Sequence, residues 1–200
     1  MKRMTAVVAV LLAGSFALVA CGSDDSTSSD GGSTSAQFNE ADVQFVQGMI
    51  PHHQQAVVMA QMAATHASDP EVKNLAAEIE AAQSPEIATM TQWLQDWDKE
   101  VPSASDSSMP GMEMGDGSHM DPGDMPGMMS DADLAQLDEA TGADWDQMFL
   151  TMMIEHHQGA IDAAKTEQAD GQNPDAVALA KKIEAAQTAE IATMESMLQS

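Results

Sequence analysis

The chain has 200 residues, with 32 acidic side chains against seven basic ones, a formal net charge of −25 and one cysteine. Nucleic acid is excluded as a partner, because phosphate binding needs clustered Lys and Arg. An internal disulfide is excluded as well, and a field of this sign attracts cations.

Residues 1–20 read as a secretory signal: Lys2 and Arg3 are a basic start and Met4–Val19 an apolar stretch. Leu18-Val19-Ala20-Cys21 then reads as a lipobox, so lipidation of Cys21 and a membrane anchor are expected. Cleavage would leave five basic residues against 32 acidic ones. A lone thiol suits an extracytoplasmic place only if it is blocked in this way. Residues 21–37 are rich in Ser, Asp, Gly and Thr and predict a flexible tether.

The remainder, 38–200, divides into a hairpin (38–99), a Met-rich linker (100–130) and a second hairpin (131–200). A first helix is predicted over about Asn39–Ala67, with Asn39 as N-cap and Asp42 three residues on. Asp69-Pro70-Glu71 restarts a helix that runs to about Lys99. A short helix is predicted over Asp131–Ala140, capped by Ser130, followed by helices over about Asp144–Ala169 and Pro174–Leu198. Phe45, Met49, His52, Ala56, Met59 and Ala63 recur at helical spacing, as do Phe149, Met153, His156 and Ala160. Leu75, Ile79, Ala82, Glu86, Thr89 and Trp93 give the same period in the second helix. Trp93, Trp97 and Trp145 are placed at bundle ends. Pro51 and Pro85 fall inside helical patterns and predict kinks. The one at Pro51 either opens the bundle beside His52 or is a local bend; Glu155 replaces it in the second copy.

The chain is internally duplicated. Asp42–Gln95 aligns without gaps on Asp146–Gln199 at an offset of 104, with 24 of 54 residues identical. Each hairpin has one apolar face and must bury it on the other. The expected fold is all-α: a four-helix bundle of two duplicated helical hairpins with a long Met-rich connection.

The core of each copy is Met-Ile-x-His-His-Gln-x-Ala. Met49 lies three and four residues before His52 and His53, and Met153 before His156 and His157, so each thioether shares a helix face with imidazoles. Met152 is also four before His156. Neighbouring histidines diverge by about 100°, so one of each pair enters the core and the other a seam. Thioether with imidazole is a ligand set for copper. The plainer alternative is buried histidine satisfied by Glu86 and Glu190, with Met as core filler. The two carboxylates also count as candidate metal ligands. Met59, Met62 and His66 form an unduplicated cluster, either an extra surface site or nothing. In the linker, Met109, Met112, Met114, Met120, Met125, Met128 and Met129 surround His119, and Met-Pro-Gly-Met occurs twice. Gly, Pro and Asp forbid a helix there, so these thioethers are read as exposed soft-metal capture, or else as an apolar patch that docks onto the bundle or a partner.

These motifs, with Ala-Gln-x-x-Glu-Ile-x-x-Met at 82–90 and 186–194, resemble the secreted bacterial family known as domain of unknown function 305, over about Phe38–Leu198. The resemblance implies a ferritin-like four-helix bundle. It also implies similarity to a cyanobacterial extracytoplasmic copper-binding, copper-resistance protein of that family. By that analogy Met49, His52, His53, Met153, His156 and His157 are candidate copper ligands. The resulting reading is a lipid-anchored protein that sequesters or delivers Cu(I), and also Cu(II), with binding placed ahead of catalysis. Affinity is expected to weaken below roughly pH 6, as imidazole must be neutral to bind. The alternatives are a ferritin-like metal-dependent oxidase, with a dinuclear centre at Glu86, Glu190 and the histidines, and a bundle that docks envelope proteins through its Met patch. Absence of any Glu-x-x-His counts against the oxidase.

Overall fold

Alternating capping signals and amphipathic runs build a chain of helices. The computed structural model describes residues 37–102 and 125–199; the predicted signal, Cys21, the tether and Met109–Met120 lie outside them. The described residues contain no strand. In order they form α1 (Glu40–His66), α2 (Pro70–Asp96), α3 (Asp131–Glu139), α4 (Gly142–Asp170) and α5 (Pro174–Leu198). No described helix is long and apolar enough to cross a membrane.

Local chemistry sets the boundaries. Asn39 and Asp42 form a capping box at α1, and Ser130 and Asp133 form another at α3. Asp69 and Asn173 cap α2 and α5 ahead of a proline in the first turn. α2 stops at Asp96 rather than near Lys99. Asp98 turns left-handed (φ 54°) and Lys99 N–H donates to the Leu94 carbonyl at 2.8 Å, the ending that closes a helix through a left-handed residue. α1 and α2 run unbroken through Pro51 and Pro85.

α1 packs on α2, α4 on α5, and the two hairpins meet mainly through α1 and α4. The core forms two apolar clusters. One joins the N-terminal half of α1 to the C-terminal part of α4, the end of α2 and the start of α5; the other joins the opposite halves. α1 and α4 are therefore antiparallel, and the duplication becomes an approximate two-fold axis at their crossing. Aromatic stacks close both ends: Phe38 on Trp97 (4.7 Å between centroids) and Trp145 on Phe149 (4.8 Å).

The inward face of α2 differs from the expected stripe. Ala82 and Thr89 are exposed, while Gln83, Met90 and Leu94 are buried. A 3.6-residue period permits either register, and periodicity alone favours Ala over an amide unless a polar layer receives it.

A reciprocal clasp joins the hairpins. The Asp42 carboxylate accepts from Gln172 N–H and Asn173 N–H (2.8 Å), at the start of α5. Its duplicate Asp146 accepts from Ser68 N–H, Ser68 Oγ–H and Asp69 N–H (3.0 Å), at the start of α2. Each carboxylate also sits where helix N-termini favour negative charge. Both aspartates are thus committed to the turns. His52 lies ten residues beyond Asp42, about 15 Å along the helix, so neither aspartate can join a centre at the histidines. Asp146→Ala should cost about 2–3 kcal/mol through its stranded donors. Urea unfolding checks this; a loss below about 0.5 kcal/mol would mean that water caps the turn equally well.

Candidate metal centre

His52 and His156 sit at the middles of α1 and α4, where the two-fold axis passes. Their rings meet across the seam in a tilted contact, centroids 3.7 Å apart and planes at 39°. The 100° step between helix neighbours then turns His53 and His157 toward their own hairpin partners. His53 Nε2 lies 2.8 Å from Glu86 Oε2 on α2, and His157 Nε2 lies 2.6 Å from Glu190 Oε2 on α5. All four imidazoles are completely buried, whereas the carboxylates reach solvent at the rim. Pro51 therefore does not open the bundle beside the pair.

The layer is poor in hydrogen bonds. Both nitrogens of His52 and of His156 lack a well-formed partner among the described residues, as do Nδ1 of His53 and of His157. The duplicated amides Gln83 and Gln187 are also buried, with unpaired polar atoms. Buried polar atoms are usually paired, so such a cluster calls for an occupant. Met49 belongs to the apolar cluster on one side of this layer and Met153 to the cluster on the other, each fully buried. Met152 is half-buried, packed at the edge of the second cluster. His66 is engaged elsewhere. Its Nδ1 faces the Met62 carbonyl at 2.9 Å and its Nε2 the Asp138 carbonyl at 3.1 Å, which ties α1 to α3.

Burial pushes the His52 pKa down to about 3, helped by the neighbouring His53, with the Pro126 carbonyl opposing. Burial also holds His156 well below the usual imidazole range, with His52, His157 and His53 adding to it. The expected weakening of binding below pH 6 assumed ordinary imidazoles. For His52 the window moves down to about pH 3, and for His156 it moves in the same direction, because desolvation favours the neutral rings.

The end of the linker is not an exposed tract. Met125 is buried in the first apolar cluster, Met128 packs on that cluster and Met129 on the second, so 125–129 forms a strap across the His layer. Three glycines permit the approach. A Cβ on Gly159 would lie 1.7 Å from the Pro126 oxygen, and one on Gly48 would lie 2.7 Å from Met125 Sδ. Gly127 adopts φ +83° above the α4 backbone. The Gln55 side chain pins the strap by accepting from Met129 N–H (2.7 Å) and donating to the Met129 carbonyl (2.9 Å). Helical periodicity could not reveal this, since the strap has none. Its signals were Gly48 and Gly159, glycines in the interiors of α1 and α4. Gly159→Ala should release the strap without unfolding the bundle. Amide exchange checks this: Met129 protection should fall at least tenfold while α4 protection holds, and unchanged Met129 exchange would refute the contact.

Among the described residues no three His, Cys, Asp or Glu side chains converge closely enough to hold an ion by themselves. Unpartnered neutral imidazole nitrogens are donors of a kind that soft ions of low coordination number accept.

The geometry defines a class: an all-α bundle of duplicated hairpins closed around a buried layer of paired histidines. The chain belongs to the family described as domain of unknown function (DUF305), whose model matches residues 42–198. It is similar to a secreted DUF305 protein from Streptomyces coelicolor, at 29% identity over 80% of this chain and 92% of that one, TM-score 0.68. It is also similar to a DUF305 fragment from Deinococcus radiodurans, at 29% identity over 80% and 97%, TM-score 0.66. CopM in its Cu(II)-bound form is 34% identical over 79% and 95%, TM-score 0.62, and CopM is also known in Cu(I)-bound, Ag-bound and apo forms. No curated protein matches the chain.

Proposed function

We propose that this is an extracytoplasmic, lipid-anchored copper-binding protein that sequesters or passes on Cu(I), and also accepts Cu(II). The observation that carries the reading is the duplicated set of buried imidazoles, six of whose eight nitrogens lack a well-formed hydrogen-bond partner among the described residues. His52, His53, His156 and His157 are the proposed donors in the bundle. Met49, Met153 and Met152 supply thioethers from the same helices, and Met125, Met128 and Met129 supply them from the strap. Met109, Met112, Met114, His119 and Met120 are assigned to initial capture. Neutral donors in a dry layer favour a monocation, because burying a dication without countercharge costs more. Similarity to CopM, solved with Cu(I), Cu(II) and silver, supports the same reading. Similarity to a secreted protein supports the location, and lipidation of Cys21 supplies the proposed anchor.

Elemental analysis after exposure to Cu(I), Cu(II), Fe(II) and Zn(II) tests it. Three forms are compared: the parent, a variant with all four layer histidines changed to Ala, and one with Met109, Met112, Met114 and Met120 changed to Leu. The strap methionines stay in place, so the third form loses capture donors only. Copper retained by the Leu variant and lost by the Ala variant places the main site in the bundle. Equal copper in parent and Ala variant sinks the bundle site.

A further inference from the structure

Glu86 and Glu190 are charged, conspicuous and beside the histidines, which makes them natural candidates for ligands. Their geometry assigns another role. Each carboxylate spends an oxygen on Nε2 of one ring, at 2.8 Å for His53 and 2.6 Å for His157. An ionised carboxylate only accepts, so Nε2 must carry the proton. Nδ1 of each ring then holds the lone pair. Those two Nδ1 atoms are buried and unpartnered among the described residues. A proton on Nδ1 would have no acceptor there, which fixes the tautomer from both ends of the ring. The carboxylates stay about a fifth to a quarter exposed, at 24% and 20%, so their charge remains hydrated at the rim while the rings lie inside.

We propose that Glu86 and Glu190 are positioning residues that hold His53 and His157 as Nε2–H tautomers and present Nδ1 to the metal, without binding it themselves. This rests on the copper reading above. The same device occurs wherever a carboxylate orients an imidazole toward an ion. The duplication repeats it: 33 residues separate His from Glu in each hairpin. His52 and His156 have no such partner. The layer therefore contains two rings of fixed orientation and two that can adjust to the ion.

The test uses the full chain, 15N-labelled at histidine. Long-range proton–nitrogen correlation of the metal-free protein should show Nε2–H at His53 and His157. Two paired variants follow, Glu86→Gln with Glu190→Gln and Glu86→Leu with Glu190→Leu, with circular dichroism to verify folding. The Gln pair keeps an acceptor and should retain the tautomer and Cu(I) affinity within a few-fold. The Leu pair should lose the tautomer and roughly 10–100-fold in affinity. If the Leu pair does not fold, the Gln pair and the parent tautomers decide. A Gln pair that folds and keeps the tautomer but loses Cu(I) makes the carboxylate a ligand and overturns the proposal. So does a folded Leu pair with unchanged affinity, or a copper-binding parent with Nδ1–H. A parent with Nε2–H that takes up no Cu(I) overturns instead the copper reading, and with it the metal half of this one.

Discussion

A chain carrying His52→Leu and His156→Leu should be more stable than its parent when metal is absent, and should lose the stabilisation that copper gives. In the metal-free protein these rings bury four nitrogens with no well-formed hydrogen bond. Each stranded polar group costs about 1–3 kcal/mol, while an apolar side chain of similar size leaves nothing unpaired. The gain expected from the pair is roughly 2–4 kcal/mol. For a domain of this size that raises the unfolding midpoint by about 5–10 °C. The parent recovers its deficit by binding, since a ligand that binds only the folded state adds stability as its concentration exceeds Kd. Calorimetry with and without Cu(I) reads both halves. A variant that is destabilised by several kcal/mol and still shifts with copper would mean that the pair is ordinary structure.

Stability of the metal-free chain should peak near pH 6.5 and fall on both sides, for separable reasons. His52 and His156 have folded pKa values depressed below the unfolded value near 6.5, to about 3 for His52. Their contribution is complete above pH 6.5 and is lost as pH falls toward 3. The slope is about 1.4 kcal/mol per pH unit for each ring. Glu167 behaves in the opposite sense. It is buried on α4 at 1% exposure, and its pKa is raised to about 8, first by desolvation and then by Asp42. Burial would raise Asp42 as well, but the N–H groups of Asn39, Asn173 and Gln172 and the Glu167 carboxyl outweigh it and hold Asp42 below the usual range. Of this pair Glu167 therefore keeps the proton. A raised folded pKa stabilises fully below about pH 4.5 and is lost as pH rises through 8, so about 2 kcal/mol should go between pH 6.5 and 8. Urea unfolding at pH 5, 6.5 and 8 measures this. Glu167→Gln should flatten the alkaline side and steepen the acid side between pH 4.5 and 6.5, whereas His52→Leu with His156→Leu should change the acid side only. An alkaline slope that survives Glu167→Gln would show that residue 167 is not its source.

The family, the helices and the central histidines were legible in the chain because duplication, capping and period are local signals. Asn39 with Asp42, Asp69-Pro70 and Asn173-Pro174 mark helix starts that the structure keeps. Pairing of His53 with Glu86 and of His157 with Glu190 was also within reach, since both carboxylates fall on inward stripes. The burial of Gln83 in place of Ala82 was not, because a single helix does not reveal which neighbouring layer is polar. The roles of Asp42 and Asp146 were hidden as well. Each reads as an ordinary acid near a helix start until the other hairpin's turn is brought against it.

By itself the sequence determined an all-α chain of two like hairpins and the residue types at their centre, since these follow from local periodicity and repetition. Tertiary structure alone decided that His52 meets His156, that Glu167 lies beside Asp42, and that Met125–Met129 packs across the histidine layer. Those outcomes depend on contacts between segments tens to more than a hundred residues apart. Shape and desolvation select them, and helical periodicity does not encode them.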